Sequence, residues 1–313
     1  MLLIVSLISA AAPMLFYLIL LWWFDKYDRE PLRLVILSFL WGAIGAVFLA
    51  LLAGAVLSLG FNLVLTDKSA VQLVEAVIVA PFVEEITKGI FLLVIIFNRK
   101  FDNLTDGLVY GGAIGLGFGM TENFLYFISF GDSLENLVFL IVIRSLFSAV
   151  MHCLSTASLG AFLALARFSR TGFRFVYPFI GLLTAMLMHF IWNFTVSFEM
   201  TAIGGLFFIA VSVLFFIVVY STSLKNEKRI IINELTEEIN QNMIPAWTVN
   251  IFEKNYIADE ENIRRNYKLF RRSLATLAFR KSQLKVSGSQ NRSYYEQEII
   301  YHRNTVQSLC NNS

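Results

Sequence analysis

Apolar residues run along this chain in stretches of twenty or more, at about 2–24, 33–60, 70–97, 105–130, 135–166, 175–198 and 201–223. A helix needs roughly 20 residues to cross the hydrocarbon core of a bilayer. The pattern predicts an all-α fold, a polytopic transmembrane helical bundle of about seven spans. Beyond about residue 225 the runs give way to helical periodicity. Ile231, Leu235, Ile239 and Met243 fall on one stripe, and Ile263, Tyr267, Phe270, Leu274 and Leu277 on another. Pro245 separates the two, and Gly288 marks a break before a short final segment with Tyr294, Ile299 and Ile300. Two domains are predicted, a membrane-embedded part at 1–224 and a helical tail at 225–313. No internal repeat of 20 to 50 residues is visible.

Composition fits this pattern. With 57% apolar residues, 15% charged residues and a mean hydropathy of +0.66, the chain does not read as a soluble domain. A net charge of +2 gives no reason to expect nucleic acid as a partner. Cys153 and Cys310 belong to different environments and make no disulfide framework. Leu2 to Phe24 lack a basic leader and continue apolar past Pro13, so they read as a retained first span and not a signal peptide.

Basic residues set the expected orientation. Lys26, Arg29 and Arg33 follow the first span, Arg99 and Lys100 the third, Arg167, Arg170 and Arg174 the fifth, and Lys225, Lys228 and Arg229 the seventh; the other connections offer only Lys68. The positive-inside rule then places the N-terminus outside and the tail in the cytoplasm. Trp22 and Trp23 stand where an aromatic belt is expected. More than half of the chain's basic residues lie in the tail, which reads as a slightly basic, soluble appendage.

The chemistry is carried by polar groups inside the runs. Pro81-Phe-Val-Glu-Glu-Ile-Thr-Lys88 places two carboxylates and an ammonium in the third run. A charge near mid-bilayer costs roughly 2.5 to 3.5 kcal/mol on insertion scales, so each needs a partner, water or a function. Glu84 and Lys88 share a helix face and can pair, whereas Glu85 points about 100° away and is left unexplained. Glu75, early in the same helix, reads as interfacial. The fourth run opens with a cap at Asp102-Asn-Leu-Thr-Asp106, then carries Gly111, Gly112, Gly115, Gly117 and Gly119, a close-packing face, and Glu122 and Asn123. The fifth carries Arg144 and His152, and the sixth His189 and Asn193 at i,i+4 spacing. Each histidine alone is an ordinary interhelical hydrogen-bonding residue. Together, the groups on four consecutive spans can meet in one polar pocket.

In this order the motifs resemble the PrsW family of intramembrane proteases, and more distantly the CAAX-type and bacteriocin-processing proteases. The resemblance runs from Asp25-Lys-Tyr-Asp-Arg-Glu-Pro31 through Ala80-Pro81, Glu84-Glu85-Ile-Thr-Lys88, Asp106-Gly-Leu-Val-Tyr-Gly111, Glu122-Asn123 and Arg144 with His152, to His189-Phe-Ile-Trp-Asn193. It covers the membrane region and leaves the tail unmatched. It implies a multi-pass protein of a prokaryotic plasma membrane that hydrolyses a membrane-anchored protein, such as site-1 cleavage of an anti-sigma factor, by glutamate-activated water. Glu84, Glu85, His152, His189 and Asn193 become the candidate catalytic residues, with Lys88, Glu122, Asn123 and Arg144 in support.

Hydrolysis needs a base for the water, donors for the oxyanion and an acid for the leaving amine. Glu84 is the preferred base over Glu85. His152 is the candidate proton shuttle, His189 with Asn193 the candidate oxyanion donors, and Glu122 a group to orient a histidine. No serine or cysteine is set beside a base as a nucleophile. The leading expectation has no metal and no cofactor; the alternative is zinc on Glu84, His152 and His189, although the His-Glu-x-x-His pattern is missing. Two other classes fit intramembrane charges, a transporter or proton-conducting protein and a catalytically silent receptor. Against a transporter, the polar groups cluster in spans three to six without inverted-repeat symmetry. For the tail, a small cytoplasmic bundle is preferred to a helix lying on the inner leaflet beside Arg264, Arg265, Lys268, Arg271, Arg272, Arg280 and Lys281, because the two stripes can bury each other and Asp259, Glu260 and Glu261 suit a helix start.

Overall fold

A computed structural model describes residues 2–64, 67–169, 172–253, 264–286 and 289–311. Arg170, Asp259, Glu260, Glu261, Ile263 and Gly288, invoked above, lie outside the described residues. The described chain is helical. Helix α1 is Leu2–Phe24, α2 covers 32–64, α3 covers 68–95, α4 is Leu104–Phe130, α5 Leu134–Phe168, α6 Tyr177–Val196, α7 Glu199–Asn240, α8 Tyr267–Val286 and α9 Ser289–Asn311. Each of the seven apolar runs becomes one of the first seven helices. Among the described residues, five helices are long and apolar enough to cross a membrane: α1, α2, α5, α6 and α7. The two left out are α3, with Glu84, Glu85 and Lys88, and α4, with its glycines, Asp106 and Glu122. The helices that carry the most polar chemistry are thus the ones that lose apolar character.

Three of these helices widen by a π-turn, at Trp41–Ala46 in α2, Glu75–Val79 in α3 and Arg144–Ser148 in α5. Such turns re-aim the side chains that follow and recur at functional sites. In α3 the cause is visible in the sequence. Pro81 has no N–H to return to the preceding turn, and the widened segment directly precedes it.

Helix α4 is the centre of the membrane unit, with every residue from Thr105 to Gly119 buried. Asn103 and Asp106 cap it reciprocally, the Asn103 side chain accepting from the Asp106 N–H at 3.1 Å and the Asp106 carboxylate from the Asn103 N–H at 3.3 Å. Its glycines let neighbouring backbones touch it. A Cβ on Gly115 would lie 2.1 Å from the His152 carbonyl oxygen of α5, and one on Gly107 2.3 Å from that of Gly160. In lipid, where apolar surface gains little from association, this close contact is the main source of helix–helix attraction.

The chain forms two compact units, Met1–Asp25 with Glu30–Tyr220, and Lys26–Arg29 with Ser221–Ser313. The second unit has its own core. Ile231 and Leu235 from the end of α7, Phe270, Leu274, Leu277 and Ala278 from α8, and Ile299 and Val306 from α9 are all buried together. The first predicted tail stripe is therefore not a separate helix but the continuation of α7 to Asn240, and Met243 falls beyond it in a turn where Asn242 takes φ 54°. The final segment is longer than expected, a helix of 23 residues. Tyr295, Ile299 and Val306 recur at helical spacing and bury one face of it.

Candidate active site

The polar groups predicted to meet do so inside the first unit, where α3, α4, α5 and α6 converge. Glu85 is fully buried and is held from several sides. One carboxylate oxygen accepts from Lys88 Nζ at 2.8 Å, His189 Nδ1 at 2.9 Å and Ser155 Oγ at 3.2 Å; the other lies 3.5 Å from the Thr156 hydroxyl. Lys88, also fully buried, reaches His152 Nδ1 at 2.9 Å and sits 4.0 Å from the centre of the Phe118 ring. On its other nitrogen, His152 Nε2 meets Glu122 Oε2 at 2.6 Å, and Arg144 holds Glu122 at 2.8 Å. Arg144 Nε also donates to Asn123 Oδ1 at 3.1 Å.

These contacts fix the tautomers. An ammonium can only donate and a carboxylate can only accept, so His152 presents a bare Nδ1 to Lys88 and an Nε2–H to Glu122. By the same reasoning His189 donates from Nδ1–H to Glu85. Its Nε2 stands 3.9 Å from Glu84 Oε2. That oxygen is buried and has no hydrogen-bond partner, and Lys88 Nζ is 3.6 Å away. The rings of His152 and His189 stand edge to face, with centroids 4.8 Å apart.

Of the residues expected from sequence, Glu84, Glu85, Lys88, Glu122, His152 and His189 come together, with Asn123 and Arg144 at the edge. Asn193 does not join them. Its amide donates to the Ala76 carbonyl oxygen at 2.8 Å, inside the π-turn of α3, where the widened ladder frees a carbonyl. It braces α6 against α3, and as placed it is not an oxyanion donor. Sequence reasoning missed Ser155, Thr156 and Phe118. Ser155 was findable, because three residues beyond His152 it shares that helix face.

Between α2, α3 and α4 a cavity of about 400 Å³ opens beside the cluster, lined by Ala50, Gly54, Ser58, Glu75, Glu84 and Glu122 among others. A second polar network lies at the base of α4. Tyr110 donates to the Glu30 carboxylate, the Glu30 N–H donates to Asp25 at 2.9 Å, and Trp22 Nε1 donates to the Glu30 carbonyl at 2.8 Å. Burial holds the Glu30 carboxyl well above the ordinary carboxylate range, with Asp102 and Asp25 adding to the rise against the hydrogen bonds from Asp106 and Tyr110. These residues anchor the loop between α1 and α2 to α4.

Five described helices long and apolar enough to cross a membrane, packed around a hydrogen-bonded cluster of two histidines, a lysine, Glu85 and Glu122, describe a multi-pass integral membrane protein with a buried polar site. The sequence profile of the family described as PrsW family intramembrane metalloprotease matches residues 30–221, and the chain belongs to that family. It is similar to Protease PrsW of Bacillus subtilis, 28% identical over 174 residues, which is 55% of this chain and 74% of that one. Protease PrsW of Oceanobacillus iheyensis is 31% identical over 191 residues, 60% of this chain and 82% of the relative. For that of Clostridioides difficile the figures are 29% over 178 residues, 56% and 72%. No solved structure matches.

The family's description raises a metal, and the residues fit one in type. Glu84, His152 and His189 offer ligand atoms within 4.8 Å of one another. Two imidazoles and a carboxylate are the donor set of a catalytic zinc site. Glu85, bonded to His189 Nδ1, occupies the place of the carboxylate that orients a zinc-bound histidine.

Proposed function

We propose that this PrsW-family peptidase hydrolyses a membrane-anchored protein with Glu84 as the base that activates water. The observation that carries the assignment is the contrast between the two glutamates. Glu85 is saturated by Lys88, His189 and Ser155, whereas Glu84 Oε2 is unpartnered and borders the cavity. The water's oxygen adds to the scissile carbonyl carbon as its proton passes to Glu84. That proton is then delivered to the leaving nitrogen as the C–N bond breaks, giving a carboxylic acid and an amine. Lys88, the fixed cation nearest Glu84, is positioned to stabilise the oxyanion. Glu85 and Glu122 hold His189 and His152 in the tautomers described. In this reading the protein has seven spans with its N-terminus outside and its tail in the cytoplasm, and its substrate is a single-span regulator of the anti-sigma type.

A second reading is favoured by the donor geometry around Glu84. A zinc ion held by Glu84, His152 and His189 would supply a Lewis acid and an acidified water. In that case His152 Nδ1 would have to give up its contact with Lys88. Reconstitution in liposomes with labelled single-span substrates separates the two. With Glu84 as base, Glu84→Gln lowers the cleavage rate by about 10² to 10⁴, and prolonged treatment with a strong chelator leaves the wild type active. Loss of activity on chelation that zinc alone restores establishes the metal reading, and full activity of Glu84→Gln defeats both.

A further inference from the structure

The cavity beside Glu84 is more specific in character than a gap between helices. Its α2 wall sets the small residues Ala50, Gly54 and Ala55 beside Val47 and Leu51, and a Cβ placed on Gly54 would meet no atom within 4 Å. Its ends are acidic. Glu84 and Glu122 stand at one, Glu75 is at the other with its carboxylate bonded to the Ser58 hydroxyl, and no basic residue is among those lining the space. Glu75 and Glu84 are nine positions apart on α3, about 13 Å at 1.5 Å per residue. An extended peptide rises about 3.3 Å per residue, so about four residues bridge that distance.

We propose that this cavity seats, in extended form, the stretch of substrate adjoining the scissile bond, with small or apolar side chains against α2 and a lysine or arginine about four residues from the bond paired with Glu75. The proposal rests on the protease reading and names the substrate feature that reading lacks. A lipid acyl chain would fill the apolar middle but offer no hydrogen-bond donor to the carboxylates along the lining. A cationic side chain gives Glu75 a charged partner beside its Ser58 hydrogen bond.

The test uses the full chain in liposomes and a set of single-span substrates in which one lysine is moved residue by residue. In the Glu84→Gln background, a photo-crosslinking side chain at position 54 should capture the substrate carrying lysine at the right spacing. Adding Glu75→Lys should lower that capture at least tenfold, and a substrate with glutamate in place of the lysine should restore it. With the catalytic Glu84 present, the cut should follow the lysine at a constant spacing, and Gly54→Phe should slow cleavage at least tenfold at an unchanged unfolding temperature. Capture or cleavage indifferent to the lysine, or unaltered by Glu75→Lys, overturns the proposal even where the enzyme cuts. Lysine-dependent capture without cleavage upholds the groove and counts against the protease reading. Crosslinks to lipid alone overturn the groove.

Discussion

Adjacent in sequence, Glu84 and Glu85 stand in opposite circumstances because a helix turns 100° between them. Replacing Glu85 by Gln leaves Lys88 buried without its closest anion and gives His189 a neutral acceptor in place of a charged one. Breaking a buried pair in this way costs about 3 to 5 kcal/mol. Glu84→Gln removes no hydrogen bond to the Oε2 atom that would be lost. Thermal unfolding in detergent should therefore show Glu85→Gln clearly destabilised and Glu84→Gln at or above the wild-type midpoint, although both lose activity. Equal destabilisation of the two would contradict the division of roles drawn here. At this scale much of the site was legible in the sequence, since a charge inside an apolar run must find a partner and the histidines and Glu122 were the partners on offer. What spacing could not give was the pairing itself. The sequence offered Glu84 as the partner of Lys88, whereas Glu85 lies closer, at 2.8 Å against 3.6 Å. Asn193 shows the same limit, because its i,i+4 spacing from His189 was correct but a freed carbonyl in α3 claimed its amide.

Among the elements, α4 and α5 determine whether the site exists. Gly115 permits the contact at which His152 is held, and Gly115→Ala would set a methyl group 2.1 Å from the His152 carbonyl oxygen, a backbone atom that cannot swing aside. Overpacking of this kind costs about 1 to 3 kcal/mol. The expected outcome is a lower unfolding temperature together with a loss of activity larger than the stability change accounts for, because His152 moves with its backbone. Gly54→Ala, which meets open space, should leave the unfolding temperature unchanged. Measuring both variants for stability and cleavage decides the point, and a Gly115→Ala enzyme with wild-type stability would refute the close contact. The helices themselves were readable from apolar run length, and the glycine face of α4 from its composition. The π-turns were not, because inserting one residue into a turn leaves no periodic trace, and only Pro81 hinted at the one in α3.

Across the whole molecule, the second unit has a core of its own. Its core is an apolar cluster of α7, α8 and α9, bordered by buried charged residues. Glu238 is the centre of these, accepting from Arg303 Nε at 2.6 Å and Arg303 NH2 at 2.9 Å, with Lys281 Nζ at 2.8 Å. Ile231, Leu235 and Ile239 of the first stripe pack in one core with Tyr267, Phe270, Leu274 and Leu277 of the second, which supports a folded bundle over a helix lying on the leaflet. Burial raises the Glu238 carboxyl, but the hydrogen bonds from Arg303 and Lys281 outweigh it and hold the group below its ordinary value of 4.5. A carboxyl depressed in the folded state contributes stability that is fully present above its unfolded value and disappears as the pH falls through the folded one. Glu238→Gln should accordingly weaken the tail near neutral pH, and the gap between variant and wild type should narrow as the pH falls below the ordinary glutamate value. Hydrogen exchange on the full chain, resolved to α8 and α9 and followed from pH 7 downward, makes the comparison. A gap that persists unchanged into acid would show that Glu238 supports the bundle through packing alone and not through its charge.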